Sequence, residues 1–386
     1  MNSDIAVSVI CITYNHEKYI RQCLESLVCQ KTSFRYEIIV HDDCSTDGTV
    51  SIIREFELKY PDLVKTIYQK ENQFQRGGKP SYIAAASSVG QYLAYCEGDD
   101  YWCDEHKLQL QYDYMKTHPD CSLCFHNTAT LYDAVGRIED QWFFWKDRSY
   151  KGEGTYSSRE LVALNVTPFS AMMFRKEYRF QYQDAREQIH GPIYGDMAKT
   201  LFLAEKGYGY CIGKTMSVYR RDVYQSAMAK IYTDLEHYNR GIFTTINTMQ
   251  WFDDYSEYKY HDILGKQIAD EENKFLQVDL SAVESGEYKD KKTYIYGTGI
   301  YGAICASELM KKGICFDGFV VSDGQKKDAT YVGYPVFFLS EIEDMEALML
   351  VAVGAKLRPV LLNNLAERGF TLSYAICKEG KKKGSE

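Results

Sequence analysis

Two spacings of apolar residues alternate along the first hundred residues of the chain. Short runs rich in β-branched residues are typical of buried strands, and they occupy residues 7–15, 36–43, 64–69 and 91–97. Between these runs apolar residues recur every three or four positions, as Ile20, Leu24 and Leu27 do, which predicts helices. Strands that alternate with helices in this way predict an α/β fold with a parallel sheet and helices on both faces.

Polar residues at the ends of these segments predict where helices begin. We expect Asn15 to cap the first helix and Asp47 to cap the second, which runs over 49–60. Ser157 and Glu160 have the spacing of a capping box. Further helices are predicted at 105–116 and 196–206, and further strands at 121–133, 170–176 and 215–222.

A second α/β unit follows a segment without strand patterns. Residues 223–290 contain little Gly or Pro and predict a helical connector. From Lys291 a strand, TYIY, leads through GTGIYG into a helix and then to the strand FDGFVVSD. This order predicts a second, small Rossmann-like α/β domain. The predicted domains are therefore 1–222, 223–290 and 291–386.

Charge and cysteine usage narrow the classes of function. The 386-residue chain carries a net charge of −9, and nucleic-acid binding depends on clustered Lys and Arg, so we expect no nucleic-acid partner.

The start of the chain lacks the basic and apolar pattern of an export signal, and the 12 cysteines are then expected to be reduced thiols. No run approaches the roughly 18 apolar residues of a membrane span. We expect a cytoplasmic protein, with peripheral association at the inner face of the membrane left open.

Polar clusters follow three of the predicted strands. They are Thr13-Tyr14-Asn15, His41-Asp42-Asp43 and Glu97-Gly98-Asp99-Asp100. Ligands of doubly wound sheets bind beyond the carboxyl ends of the strands, and adjacent acids at a buried strand end are costly without a partner. We therefore expect a binding site at these ends. The structural alternative is that Asp42 and Asp43 only cap the next turn and helix.

Taken in order, these segments resemble the family-two glycosyltransferases, which have the GT-A fold. The matching segments are SVICITYN, HDDCSTDGT and EGDDYW, followed by GDMAKTLFLAEKGYGY and SVYRRD, and they span about residues 6–222. The resemblance implies a Rossmann-like mixed sheet flanked by helices. It also implies transfer of a hexosyl or N-acetylhexosaminyl group from a nucleotide-sugar to an acceptor hydroxyl, in glycan or surface polysaccharide synthesis.

The resemblance places the donor site at the strand ends. It implies that a donor, which we expect to be a UDP-sugar, contacts Thr13, Tyr14, Asn15, Asp42, Asp43, Glu97, Gly98 and Asp99, with Arg76 and Lys79 as phosphate candidates. Glu97-x-Asp99 stands in the place of the family's D-x-D motif, whose second acid binds Mn²⁺ or Mg²⁺. The Glu at the first position departs from that motif. Asp222 stands where the family often has a metal-binding histidine, so the implied metal ligands are Asp99 and Asp222.

Attack by an acceptor hydroxyl requires a general base. In inverting members of the family a carboxylate at the start of a late helix has this role, and Asp196 is the match here. His190 is the second choice, and Asp100, Trp102 and His190 are expected on the acceptor side. No second carboxylate is marked as a nucleophile, which favours inversion over double displacement. The structural alternative for Asp196 is a helix N-cap.

The second unit carries a candidate nucleotide site of its own. GTGIYG satisfies G-x-G-x-x-G between a strand and a helix, and Asp323 ends the next strand. Gly297, Gly299, Gly302 and Asp323 therefore form a candidate second nucleotide site. Because the unit is smaller than a full dinucleotide fold, a regulatory, binding or assembly role is favoured.

Other functions stay open on the sequence alone. A retaining transferase and a sugar-nucleotide pyrophosphorylase are alternatives, although the start of the chain lacks the Gly-rich phosphate loop of the latter. GTGIYG by itself would fit an NAD-dependent oxidoreductase or a sugar-nucleotide-binding module. A catalytically inactive sugar-binding module is disfavoured by the presence of both Asp99 and Asp196. The expected partners are a nucleotide-sugar donor and a glycan, lipid-linked or protein-linked acceptor, and a homo-oligomer is left open.

Overall fold

The described part of the chain forms two compact units. The computed structural model describes residues 5–133, 136–142, 149–187, 189–221, 234–286, 288–325 and 328–380. Within these ranges the first unit holds the residues up to 221 together with 247–265, and the second holds 234–246 and the residues from 266 onward. The segment predicted as a helical connector is thus divided between the two units, and the predicted domain boundaries stay a prediction.

The first unit begins with the predicted alternation of strands and helices. Its elements are β1 (Ile5–Thr13), α1 (Ile20–Val28), β2 (Arg35–Asp42), α2 (Thr49–Lys59), β3 (Val64–Tyr68), α3 (Pro80–Ala86), β4 (Tyr92–Glu97), β5 (Tyr101–Trp102), α4 (Lys107–Thr117), β6 (Cys121–Tyr132), β7 (Arg137–Glu139), β8 (Gly154–Tyr156), α5 (Ser158–Leu164), β9 (Met173–Arg175), α6 (Lys176–Arg186), α7 (Gly195–Ala204) and β10 (Tyr208–Arg221).

Helices and a smaller sheet follow. They are α8 (Leu235–Tyr255), α9 (His261–Glu272), β11 (Leu276–Val278), α10 (Ser281–Glu284), β12 (Thr293–Tyr296), α11 (Ile300–Lys311), β13 (Gly318–Val321), β14 (Thr330–Tyr331), β15 (Tyr334–Phe338), β16 (Leu348–Val351), α12 (Arg358–Glu367), β17 (Ser373–Ala375) and β18 (Cys377–Glu379). Across the described ranges, every helix is too short or too polar to span a membrane.

The large sheet of the first unit is mixed. Its strand order is β3-β2-β1-β4-β9-β6-β10-β5. The four strands predicted first pair in parallel, as expected, but β9 pairs antiparallel with β4 and with β6. The parallel arrangement predicted for the first hundred residues is therefore confirmed, and the sheet as a whole is mixed, as the family resemblance implies.

The start of α1 differs from the prediction, because Asn15 is not its cap. The helix begins at Ile20, after a turn in which the N–H groups of Tyr19 and Ile20 bond the carbonyl of His16. Asn15 lies before that turn with a left-handed φ of 54°, which Asn tolerates better than most residues. The prediction for the capping box is borne out, whereas the N-cap residue of α2 is Gly48 and Asp47 precedes it. Asp47 accepts the N–H of Thr49, and Ser157 and Glu160 form both bonds of the box.

The core of the first unit lies between the helices and the parallel strands. Val7, Val9 and Cys11 alternate along β1 and pack against Leu24 and Leu27 of α1, all of them fully buried. Burying a side chain of the size of Leu stabilises the fold by about 1.5–3 kcal/mol. Burial of apolar residues at the predicted positions therefore fixes which end of each strand reaches the surface.

In the second unit the strand order reverses direction at the centre of the sheet. The order is β14-β15-β13-β12-β16-β17, with parallel pairs except between β14 and β15. Strands that follow β12 in the chain lie on one side of it and β16 lies on the other, which is the strand order of a doubly wound sheet. The Rossmann-like domain expected from TYIY and GTGIYG stays a prediction. Gly297 follows β12 with a φ of 125°, a conformation that favours glycine.

A buried acid joins three neighbouring segments beneath the large sheet. Glu37 is inaccessible to solvent, accepts the hydroxyl of Ser8 at 2.6 Å and the N–H of Val89 at 2.7 Å, and pairs with Lys65. Burial alone would raise the pKa of Glu37, but the bonds from Lys65, Ser8 and Val89 outweigh it and lower that pKa. The charged form is thus held by β1, β3 and the loop before β4.

We predict that Glu37→Gln lowers the free energy of unfolding of the first unit by roughly 2–3 kcal/mol, the usual size for a hydrogen bond to a buried charge. The lowered pKa means that this stability is present above the unfolded pKa and is lost as the pH falls through the folded one. Urea unfolding followed by tryptophan fluorescence measures it. The exposed pair of Glu55 with Arg21 supplies the control, since Glu55→Gln should change little. Equal stability of both variants would contradict the prediction.

Candidate functional site

The three polar clusters predicted at strand ends lie side by side. In the parallel pairing Thr13 is the register partner of Asp42, and Ile12 is the partner of Glu97. The N–H of Asp43 donates to the carbonyl of Thr13, and the N–H of Gly98 donates to that of Ile12, both at 2.9 Å. The carboxyl edge of β1, β2 and β4 therefore gathers these side chains at one place.

Asp42 and Asp43 are both buried, but their carboxylates have different partners. Asp43 accepts the N–H groups of Gln73 and Phe74, at 2.8 and 3.0 Å. Asp42 accepts the N–H of Ser45 at 3.0 Å through one oxygen. Its other oxygen is buried and has no hydrogen-bond partner among the described residues. Asp43 therefore holds the loop after β3, whereas Asp42 has an acceptor oxygen suited to a ligand hydroxyl.

Gly98 allows the strand ends to approach each other closely. A Cβ at this position would lie 2.6 Å from Oγ1 of Thr13 and 2.9 Å from Nδ1 of His16. Both of these atoms are buried, and neither has a hydrogen-bond partner within the described ranges. Nε2 of His16 lies 3.8 Å from Oδ2 of Asp99. His16, which the sequence analysis did not select, is therefore part of the candidate site.

Tyr14 and Asn15 have different surroundings. The ring of Tyr14 is 37% exposed beside the strand ends, and a flat ring there is suited to stacking on a base. The side-chain oxygen of Asn15 accepts the N–H of Thr46, and its N–H donates to the hydroxyl of Ser45, both at 2.8 Å. Asn15 therefore joins the loops after β1 and β2, which is a structural role.

Carboxyl groups crowd the end of β4. Burial raises the pKa of Glu97 to about 8, with further increases from Asp99 and Asp196, while Lys199 opposes them. Burial and the charges of Asp99 and Glu97 also hold the pKa of Asp100 well above its ordinary value, although Asp100 accepts the N–H of Arg220 at 2.9 Å. Like charges this close favour protonation or a bound cation.

A divalent cation fits the chemistry of this cluster. No set of three His, Cys, Asp or Glu side chains in the described residues is arranged to hold a metal ion by itself, and Asp222 lies outside the described residues. A magnesium ion on a phosphate substrate needs only one or two carboxylates, since phosphate and water oxygens complete its shell. Asp99 and Glu97 supply such oxygens, and their crowding gives the charge that a cation would neutralise.

Asp196 lies in the first turn of α7 rather than at its cap. Tyr194 is the N-cap residue, and one carboxylate oxygen of Asp196 accepts the N–H of Met197 at 2.8 Å. The charge of Asp196 contributes to the raised pKa values of Glu97 and of Tyr219, for both of which burial is the first cause. The candidate base and the D-x-D-like acids therefore belong to one site, with Tyr219 among them.

Arg76, the predicted phosphate candidate, and Arg220 of β10 are both engaged by acids. Arg76 is exposed and pairs with Glu71. Arg220 pairs with Asp133 at 2.9 Å, and its guanidinium also contacts the side-chain oxygen of Gln22. Both pairs would have to open before either arginine could contact a phosphate.

Trp102 and His190 lie in different surroundings, although both were expected on the acceptor side. Trp102 is 3% exposed, and its ring N–H donates to the carbonyl of Ser170 at 3.1 Å, so its ring is part of the core. His190 is exposed, and its carbonyl accepts the side-chain amide of Asn247 at 3.1 Å. The described contacts do not bring either ring to the acid cluster.

The candidate second nucleotide site has the predicted backbone, but its acid is engaged. A Cβ at Gly302 would lie 2.0 Å from the carbonyl of Gly297, so the turn into α11 requires glycine there. Asp323 accepts the N–H of Ser340 at 3.0 Å and pairs with Arg368. Nucleotide binding by the second unit stays a prediction.

Comparison with known proteins adds a family match. The model of the family described as "Glycosyl transferase family 2" matches residues 8–179. The uncharacterized protein Rv1520 of Mycobacterium tuberculosis is 31% identical over 247 residues, which cover 63% of this chain and 67% of that protein. The family model extends over the strands that carry the acid cluster.

Two further similarities involve Staphylococcus aureus TarS. Poly(ribitol-phosphate) β-N-acetylglucosaminyltransferase TarS is 40% identical over 97 residues, or 24% of this chain and 16% of TarS. The crystal structure of TarS 1-349 in complex with UDP is also similar, with 19% sequence identity and a TM-score of 0.48. The alignment includes 74% of this chain and 75% of the TarS chain.

We predict that Glu97→Gln stabilises the protein in the absence of added metal, and increasingly so from about pH 5 to pH 8. The folded protein holds a proton on Glu97 up to a pKa of about 8, whereas the unfolded chain releases it near 4.5, so the wild type loses stability across this window. A glutamine side chain does not ionise, so the variant avoids this loss of stability. At pH 8 the melting temperature of Glu97→Gln should therefore exceed that of the wild type, by about 2–4 °C for each kcal/mol of added stability. At pH 5 the two melting temperatures should differ little. The exposed residue Glu25 supplies a control, Glu25→Gln, and equal pH profiles for both variants would refute the prediction.

Proposed function

Because the chain belongs to glycosyl transferase family 2, we propose that it is an inverting enzyme which transfers a hexosyl or N-acetylhexosaminyl group from a UDP-sugar to an acceptor hydroxyl. The observation that carries this proposal is the placement of Asp196 beside the Glu97-x-Asp99 acids. A glycosyltransferase needs a group that offsets charge on the departing diphosphate and a base that receives the proton of the acceptor. The site offers carboxylates that could hold a cation for the first role, and Asp196 for the second.

The donor is proposed to lie across the strand ends. The ring of Tyr14 would face the base, and the buried acceptor oxygen of Asp42 would bond a ribose hydroxyl or the N–H of a uracil. Thr13 and His16 pack closely against Gly98 and carry buried polar atoms that are candidates to bond the donor. Arg76 and Lys79 remain candidates for phosphate contact after the Arg76–Glu71 pair opens.

The proposed metal is Mn²⁺ or Mg²⁺, held by Asp99 with Glu97 beside it. When bound, the ion would neutralise charge on the diphosphate as the sugar leaves. Asp99 and Glu97 would hold it through carboxylate oxygens, the ligands that both ions prefer. Asp222 is proposed as a further ligand from the family resemblance alone.

Asp196 is proposed to act on the acceptor. Its carboxylate would accept the proton of the acceptor hydroxyl while the hydroxyl oxygen forms a bond to the anomeric carbon. The bond from that carbon to the UDP oxygen breaks on the opposite face, so a single displacement inverts the configuration. Lys199 lies one turn further along α7, and although burial lowers its pKa to about 7, the charges of Asp196 and Glu97 favour its charged form.

The acceptor class is proposed from the relatives. TarS carries the name of a poly(ribitol-phosphate) β-N-acetylglucosaminyltransferase and is 40% identical over 97 residues. That similarity supports N-acetylhexosaminyl transfer to a surface polysaccharide or another glycan acceptor. Because the similarity covers only 16% of TarS, the acceptor of this chain needs a direct screen of acceptors with each nucleotide-sugar.

We predict that Asp196→Asn lowers turnover by roughly 10²-fold or more, the usual size for loss of a general base. Because Asp196 is proposed to face the acceptor, the affinity for UDP, measured by calorimetry, should stay within a few-fold of the wild type. The exposed residue Asp62 supplies a matched control, Asp62→Asn, which should retain turnover. Normal turnover in Asp196→Asn would show that its role is structural.

We predict that Asp99→Asn removes the dependence of UDP binding on Mg²⁺. In the wild type, calorimetry should show tighter binding of UDP with the metal than without it, because the ion links carboxylate to phosphate. The variant should bind UDP with one weak affinity under both conditions and should lose transfer. If Mg²⁺ still strengthens UDP binding in this variant, Asp99 is not the ligand.

A further inference from the structure

The turn that follows β1 holds the main chain of His16 in place. Before it, Asn15 is bonded to the loop after β2 through its own N–H and its side-chain oxygen. After it, the N–H of Glu17 donates to Asp47 of the same loop at 3.1 Å. The carbonyl of His16 accepts the N–H of Ile20, the first residue of α1, at 2.8 Å. The main chain at His16 is therefore fixed on both sides.

The imidazole ring of His16, in contrast, is not hydrogen-bonded. Its Nδ1 is buried without a partner among the described residues, and the contact of its Nε2 with Asp99 is 3.8 Å long, beyond the range of a hydrogen bond. Buried polar groups in a structural role are usually paired. A fixed main chain that carries an unpaired ring is the arrangement expected of a side chain that binds a ligand.

The distance between Nε2 of His16 and Oδ2 of Asp99 suits two atoms that bind one ion. Ligand atoms of Mg²⁺ lie about 2.1 Å from it, so two of them are about 3 Å apart at right angles and about 4.2 Å apart on opposite sides. The observed separation of 3.8 Å lies within these limits. The side chains of His16 and Asp99 are 20% and 21% exposed, so both can be reached from solvent.

Thr13 lies close to the other nitrogen of the ring. Thr13 is 3% exposed, and its Oγ1 is buried without a hydrogen-bond partner within the described ranges. A Cβ at Gly98 would lie 2.6 Å from this oxygen and 2.9 Å from Nδ1 of His16, so both atoms approach the same point of the turn after β4. When one nitrogen of an imidazole binds a metal, the other donates its proton to an acceptor. Oγ1 of Thr13 can serve as that acceptor.

A nitrogen ligand would change which cation the acid cluster prefers. Carboxylate and phosphate oxygens bind both Mg²⁺ and Mn²⁺. An imidazole nitrogen is a softer ligand, and it favours first-row transition-metal ions over Mg²⁺. His16 can therefore add selectivity to a site whose acids supply only charge and oxygen ligands.

We propose that Nε2 of His16 is a metal ligand beside Asp99 and that this nitrogen makes the site select Mn²⁺ over Mg²⁺. The proposal rests on the proposed function, because phosphate oxygens of the donor are taken to complete the shell of the ion. Thr13 orients the ring through Nδ1. Two ligand atoms from the described residues are then sufficient, as they are for ions held mainly by a phosphate substrate.

Calorimetric titration of UDP tests this selectivity without any turnover. We expect the wild type to bind UDP about tenfold or more tightly with Mn²⁺ than with Mg²⁺. In His16→Asn the two affinities should lie within a few-fold of each other, while Mg²⁺ still strengthens binding through Asp99. His118, an exposed residue just after α4, supplies the matched control, since His118→Asn should keep the preference of the wild type. Equal affinities with both ions in the wild type, or an unchanged preference in His16→Asn, overturns the proposal.

Electron spin echo spectroscopy of bound Mn²⁺ identifies the ligand directly, and its first step needs no variant. With Mn²⁺ and UDP bound, labelling the histidines of the full chain with a heavy nitrogen isotope should change the coupling between the metal and nitrogen. The coupling should be lost in His16→Asn and kept in His118→Asn. Metal-dependent binding of UDP without this coupling overturns the role of His16 and leaves the proposed function standing. Coupling in a protein that turns over no nucleotide-sugar would refute the proposed function and leave His16 as a ligand.

Discussion

Repulsion between like charges in a confined space is the constraint on which the site depends. Glu97, Asp99 and Asp100 lie at the end of β4 and on the short turn after it, and the charge of Asp196, in the first turn of α7, acts on Glu97. The parallel strands beneath are packed by fully buried apolar residues, so the acids cannot separate without disrupting the core. The protein therefore holds a cluster of acids that lowers its stability. Functional sites often contain groups that lower stability, because activity needs them there.

Many strands and helices of the first unit could be predicted from local sequence patterns. The strands that end at Thr13, Asp42 and Glu97 were predicted because the period of apolar residues and the polar residue after each run are local signals. Their convergence followed from the geometry of parallel sheets. The antiparallel β9 was not predicted, because strand direction depends on distant pairing. The short strand β11 lies in a segment without a strand pattern and pairs with β18, about a hundred residues away.

The side chains that surround the acids were harder to predict than the acids. His16 directly follows the Thr13-Tyr14-Asn15 cluster, and Lys199 lies one helical turn after Asp196, so their spacing was an available signal. For Asn15, the local sequence predicted a role that the structure does not show. Its residue type suits a helix cap, but tertiary bonds to Ser45 and Thr46 hold it elsewhere.

The paired N–H donors on Asp43 have a consequence for recognition kinetics. Since Gln73 and Phe74 are bonded to a buried carboxylate that belongs to the sheet, this loop has little conformational entropy left to lose when a nucleotide arrives. Association should then proceed as a docking event onto a preformed rim, with a single kinetic phase and a rate set by diffusion and charge. The slow ordering step seen in enzymes whose phosphate loops fold around their substrate would be absent at this edge.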